Sequence, residues 1–136
     1  MNCEIKADLA GIERLAEIIE EYGKTHNISP KIIFGINLSL DELITNTINY
    51  GYKGDKEHRI GVQLTLTPEE IEVEISDDGL SFNPLDQPPP DINQSIEDRP
   101  IGGLGIHLVR KMMDQVKYQR QGDKNILTMK KRLEVD

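Results

Sequence analysis

A glutamate and an asparagine one helical turn apart, Glu42 and Asn46, are the first of three residue groups in this chain that could do chemistry. On a helix, positions i and i+4 share a face. A carboxylate able to take a proton would therefore stand beside an amide oxygen able to ligate a hard cation such as Mg²⁺. Asn49 follows at i+7 on roughly the same face. The second group, Asp77-Asp78-Gly79, closes an alternating segment. A carboxylate at that point can accept a hydrogen bond from an exocyclic amine, and Gly79 lets the backbone lie close against a ring. The third, Gly102-Gly103-Leu104-Gly105, precedes a helical pattern. Its glycines free backbone N–H groups, and a helix N-terminus adds a partial positive charge that suits phosphate. Taken singly, the three groups read equally well as an exposed helix edge, a tight turn and a flexible hinge. Their order within 136 residues points to a nucleotide site.

These residues need elements to hold them. A short strand over residues 3–7 is followed by an amphipathic helix from Gly11 to about His26, with Ile12, Leu15, Ile18 and Ile19 at helical spacing. Ser29 is placed to cap a second helix and Pro30 to occupy its first position. That helix runs to about Tyr50, with Gly51 at its end. It is apolar over much of its surface (Ile32, Ile33, Ile36, Leu40, Leu43, Ile44), which predicts the most buried helix. Arg59 to Thr67 and Ile71 to Ile75 alternate with period two, as a hairpin with one face on the core does. Pro84, Pro88, Pro89, Pro90 and Pro100 exclude regular structure from about Phe82 to Pro100. A third helix is marked by Ile106, Val109, Met112, Met113 and Val116, and a last hairpin turns at Gln121-Gly122-Asp123. Helices on one face of a mixed, mostly antiparallel sheet make an α+β two-layer sandwich.

Composition narrows the function. With 136 residues and 37% hydrophobic content the chain fits one domain with one core. No stretch approaches the roughly 20 apolar residues of a membrane span, and the first residues lack the apolar run of a signal peptide, so no membrane association and a cytoplasmic location are expected. Cys3 is the only cysteine, which rules out a cysteine-built zinc site and reads best as a small apolar residue of the first strand. His107 has no second histidine or cysteine at ligand spacing and is expected to be an ordinary packed or half-exposed residue. The formal charge of −8 argues against direct nucleic-acid binding. From Lys117 to Arg132, however, six basic residues face one acid, giving +5 against −13 elsewhere. The first expectation for that run is the solvated face of a hairpin; a partner surface is the second.

The motifs resemble a known superfamily. The segment 37–46 (Asn-Leu-Ser-Leu-Asp-Glu-Leu-Ile-Thr-Asn) looks like the N box of the GHKL ATPases, Asp77-Asp78-Gly79 like their G1 box and Gly103-Leu104-Gly105 like their G2 box. The likeness covers nearly the whole chain. Within the superfamily the chain looks like the small stand-alone anti-sigma factor serine kinases of the RsbW and SpoIIAB type. The resemblance implies a single histidine-kinase-like ATPase domain over 1–136 with the Bergerat fold and an ATP lid at about 82–102. It also implies ATP and Mg²⁺ as cofactors and a serine/threonine-protein kinase that phosphorylates an anti-anti-sigma, STAS-type partner. Sequestration of a sigma factor and a homodimer stay open under it. Carried over by motif, Glu42 is the catalytic base, Asn46 the Mg²⁺ ligand and Asp77 the adenine anchor; Asn49, Gly79, Gly103, Leu104 and Gly105 line the nucleotide pocket. The chain departs from the pattern at Ser81, where the G1 box often has a second glycine, and at Tyr50, where related kinases often carry histidine. A non-catalytic, ATP-gated protein-binding switch in a bacterial signalling pathway is the competing expectation.

Overall fold

The computed structural model describes residues 1–51, 58–81, 83, 85 and 103–133. In chain order the elements are β1 (Asn2–Lys6), α1 (Leu9–Thr25), α2 (Pro30–Gly51), β2 (Arg59–Leu66), β3 (Glu70–Asp77), α3 (Gly103–Met112), β4 (Gln115–Gln121) and β5 (Lys124–Arg132). The strands form one sheet in the order β1-β2-β3-β5-β4. Every neighbouring pair among them is antiparallel, so the sheet expected to be mostly antiparallel is antiparallel throughout over the described residues. The lid expected at about 82–102 lies outside them, Asn83 and Leu85 excepted.

Alternation does what the sequence dictates. Ile60, Val62 and Leu64 of β2 and Ile71, Val73 and Ile75 of β3 turn to one side and join Leu15, Ile19, Ile36, Ile44 and Val109 of the helices in a single core. The opposite strand positions, among them Gln63, Thr65, Glu72 and Glu74, are left to the other face. α2 is the core helix, as its composition requires: Ile36 and Ile44 are completely buried. Its start follows the expected cap, with the Lys31 N–H donating to Ser29 Oγ at 3.3 Å.

Three details differ from the sequence reading, each for a local reason. α1 begins before Gly11 because Asp8 caps it, its Oδ1 accepting from the Gly11 N–H at 2.7 Å. Such a cap supplies an acceptor to an otherwise orphaned first-turn donor. The third helix stops at Met112, and Val116, counted in its apolar run, belongs to β4. The break comes at Asp114, whose N–H donates to the Lys130 carbonyl and whose carboxylate accepts from the Arg132 N–H at 2.6 Å, tying the chain to β5 instead of to a further helical turn. The basic run is partly neutralised by its own neighbours: Lys130 lies 3.9 Å from Glu70, and Lys131 3.9 Å from Asp114. α1 and α2 are antiparallel and in close contact. A Cβ on Gly23 would come within 2.5 Å of Ile33, so only glycine allows this approach. No helix among the described residues is long and apolar enough to cross a membrane.

Candidate functional site

The second half of α2 carries a polar stripe in an otherwise apolar helix. Ser39, Glu42, Asn46 and Asn49 recur at spacings of three and four, the repeat that stacks side chains along one face. Asn46 is only 2% exposed, and its Nδ2 has no hydrogen-bond partner among the described residues. Ser39, which the sequence reading passed over, is also buried with Oγ unpartnered. A buried polar group left unpaired costs about 1–3 kcal/mol, so two on one stripe mark a surface built for something other than packing. Glu42 is half-buried at the same stripe. Burial, and then the adjacent Asp41, hold its carboxyl above the ordinary carboxylate pKa. A carboxylate with raised proton affinity is a better proton acceptor.

Asp77, the last residue of β3, is 8% exposed and held from two sides. The Gly79 N–H donates to its Oδ1 at 2.8 Å, and Asn125 Nδ2 donates to the same oxygen at 3.1 Å. Both of these hydrogen bonds fall on Oδ1. The pinned carboxylate therefore presents one oxygen that is not used in holding it. Asp77 is in turn a wall of a cavity of about 20 Å³ shared with Leu43 and Thr47 of α2 and with Tyr118, Asn125 and Leu127. Leu43 and Thr47 directly follow Glu42 and Asn46 in sequence, so α2 carries both the polar stripe and one wall of the Asp77 cavity.

Asn125, Tyr118 and Arg120 were not foreseen. Asn125 is the register partner of Asp77 and is 6% exposed. Its Nδ2 also donates to the Leu80 carbonyl at 2.8 Å, while its Oδ1 accepts from the Tyr118 hydroxyl and, at 3.1 Å, from Arg120 Nη1. The same Arg120 nitrogen donates to the Gly79 carbonyl at 2.8 Å. The turn after Asp77 is thus fastened to the β4–β5 hairpin at Gly79 and Leu80. One signal for Asn125 was present in the sequence: it occupies the core-facing phase of the alternation shared by Leu127 and Met129, where a polar residue needs a reason.

Gly103, Leu104 and Gly105 open α3, so the first-turn N–H groups they carry are among those a helix leaves without internal partners. α3 packs on α2, with Met112 Sδ within van der Waals reach of a Cβ placed on Gly35. Gly102 lies outside the described residues. Asn49 is exposed at the end of the polar stripe. His107 is half-buried on α3, and its Nε2 is buried without a partner among the described residues. Among those residues no group of three or more His, Cys, Asp or Glu could hold a metal ion. A cation at Asn46 would accordingly take most of its ligands from phosphate and water, as Mg²⁺ habitually does.

Comparison with known proteins bears on this arrangement. Residues 5–131 match the histidine kinase-like ATPase domain. The serine-protein kinase RsbW of Listeria monocytogenes is 31% identical over 105 residues, covering 74% of this chain and 67% of that protein. The RsbW of Bacillus subtilis is 26% identical over 126 residues, covering 88% and 76%. The serine/threonine-protein kinase BtrW of Bordetella bronchiseptica is 29% identical over 101 residues, covering 74% and 71%. In fold, the chain is similar to a crystal structure of the RsbU and RsbW domains of a Mycobacterium tuberculosis protein, with a TM-score of 0.68 at 12% identity, over 98% of this chain and 31% of that one.

Proposed function

The chain belongs to the histidine kinase-like ATPase domain family, and from that membership we propose that it is an ATP-dependent serine/threonine-protein kinase of anti-sigma regulation, acting on a STAS-type anti-anti-sigma partner. The kinase names of its relatives support the activity. The observation that carries the nucleotide reading is the buried Asp77 carboxylate, pinned through Oδ1 by Gly79 and Asn125. An incoming adenine amine would donate to Oδ2. A buried acceptor of this kind discriminates against a base with a carbonyl in place of the amine.

The roles of the chain's own residues follow from their chemistry. Asn46 is buried on this face; its amide Oδ1 would be the oxygen ligand to Mg²⁺, and its Nδ2, which no described residue satisfies, would donate to a phosphate oxygen. The ion, when bound, neutralises charge on the phosphates. The first-turn N–H groups of α3, from Gly103, Leu104 and Gly105, would receive phosphate oxygens. Glu42 takes the proton of the attacking hydroxyl. As the partner's serine or threonine oxygen forms its bond to the γ-phosphorus, the bond from that phosphorus to the β,γ-bridging oxygen breaks. ADP leaves with the electron pair, and the proton remains on Glu42. Asn49 extends the same face, and the reading puts the protein in the cytoplasm, where ATP is supplied. Sequestration of a sigma factor would be a second use of the same domain.

The test is phosphotransfer from radiolabelled ATP to a STAS-type protein from the same cell, with Asn46→Ala beside the wild type. Label should reach the partner with wild-type protein, and Asn46→Ala should lose Mg²⁺-dependent nucleotide binding. Tight ATP binding and partner capture without any label would replace the kinase by an ATP-gated binding switch.

A further inference from the structure

A second concavity is far larger than the Asp77 cavity. It is a groove of about 770 Å³ along the seam of α1 and α2. Its floor is apolar (Leu15, Ile33, Leu40), and two large apolar side chains stand beside it in solvent: Leu9, 70% exposed, on α1, and Phe34, 64% exposed, on α2. The groove follows α1 from Leu9 to Lys24, about 22 Å at 1.5 Å per residue. Isolated exposed apolar residues need no explanation, but two beside one apolar trough mark a contact surface.

Charge decides the occupant. Glu13, Glu20 and Asp41 line the groove, and among the described residues Lys24 is the single cation that does. A second copy related by a two-fold axis would lay the acidic rim against itself, since a two-fold interface is self-complementary. The walls are helices and offer no strand edge, so an extended segment would find no backbone ladder to join, whereas an amphipathic helix docks by side chains alone. We propose that this groove receives an amphipathic helix of a protein partner, about four turns long, apolar on one face and carrying lysine or arginine beside that face. The proposal goes beyond the nucleotide reading and does not depend on it, because the groove shares no residue with the Asp77 cavity.

The test uses the full chain and two fluorescein-labelled helical peptides of about 15 residues, matched to the groove length. Both carry leucines at i, i+3, i+4 and i+7; one has lysines flanking them and its twin has glutamates. Fluorescence anisotropy should give saturable binding of the lysine peptide, at least about ten-fold tighter than its twin, with the difference shrinking as salt is raised. Leu9→Ser and Phe34→Ser should each weaken it about ten-fold, and Glu13→Lys with Glu20→Lys should invert the preference. Circular dichroism and ATP affinity, both unchanged in these surface variants, separate loss of the groove from loss of the fold. A lysine peptide bound equally by wild type and Phe34→Ser is reading only the net charge of −8 and overturns the proposal. So does equal affinity for the two peptides, or the absence of saturable binding. A wild-type dimer in sedimentation that Phe34→Ser dissociates would give the groove to a second copy and overturn it too.

Discussion

Along its first half α2 helps wall an apolar groove of about 770 Å³; along its second half it borders a cavity of about 20 Å³. The large space has a floor of core side chains and a rim that includes the exposed Leu9 and Phe34. The small one is framed by Asp77 and Asn125, whose positions are fixed by hydrogen bonds through Gly79, Leu80, Tyr118 and Arg120. Volume therefore does not locate the chemistry in this molecule. On the proposed reading, paired and unpaired buried polar groups mark it, because low surrounding polarity makes each of them costly to misplace.

If that contrast is right, substitutions should have steeply graded effects. The largest belongs to Glu42→Gln, which keeps shape and removes the proton acceptor: phosphotransfer should fall roughly 10²–10⁴-fold with ATP affinity nearly kept. Burial raises the Glu42 pKa, so the wild-type rate should climb with pH as Glu42 deprotonates, with a midpoint above the ordinary carboxylate range. The variant's profile should be flat across that window; a matching climb in Glu42→Gln would remove Glu42 from the mechanism. The same raised pKa makes a stability statement. Tighter proton binding in the fold favours the native state at pH below the unfolded carboxylate pKa, and this contribution is lost as pH rises through the folded value. Thermal melts should then find Glu42→Gln no less stable than wild type at neutral pH, and a lower melting temperature there would contradict the burial assigned to Glu42.

Next comes Asp77→Asn, which replaces a charged acceptor by an amide at the same place. Calorimetry should read a loss of about 1.5–3 kcal/mol in ATP affinity; equal affinities would move the base-recognition site elsewhere. Asn125→Ala should have a smaller effect on ATP, about 0.5–1.5 kcal/mol, because Gly79 still holds Asp77 when Asn125 is gone. Titration of ATP into both variants ranks them, and a larger loss for Asn125→Ala would make Asn125 the direct contact. At the bottom stands Phe34→Ala in the groove. Its stability change should stay within about 0.5 kcal/mol, as for other surface substitutions, with ATP affinity unaltered. Denaturant unfolding that reports several kcal/mol would show that the groove is packed in solution and not open.

How much of this was legible beforehand depends on the range of the interaction concerned. The strands β2 and β3 follow from alternation, and α2 from Ser29-Pro30 and its apolar content, because those signals are local. Glu42, Asn46 and Asp77 were identified from spacing and resemblance, and Asp77 does lie buried at the end of its strand. The Asp77–Asn125 bond joins residues 48 apart in sequence, and no local pattern encodes it. The Arg120 bond to Gly79 spans 41 and came from a basic run that was read as solvated surface. The groove was invisible for the same reason: it lies along the seam of two helices, where α1 approaches Ile33 of α2 at Gly23.

The strand order has a kinetic consequence. β5 is last in the chain among the strands, yet it lies between β3 and β4, not at the edge. The three motifs, from Glu42 to Gly105, can all be present in a growing or truncated chain before β5 exists. Such a chain would own every diagnostic residue and still lack the strand that holds Asp77 still. Non-local pairing of this kind is slow, since loop-closure entropy is lost before the contacts repay it. On the proposed role of Asp77, full affinity for nucleotide would then be a late property of folding, reached when β5 docks beside β3.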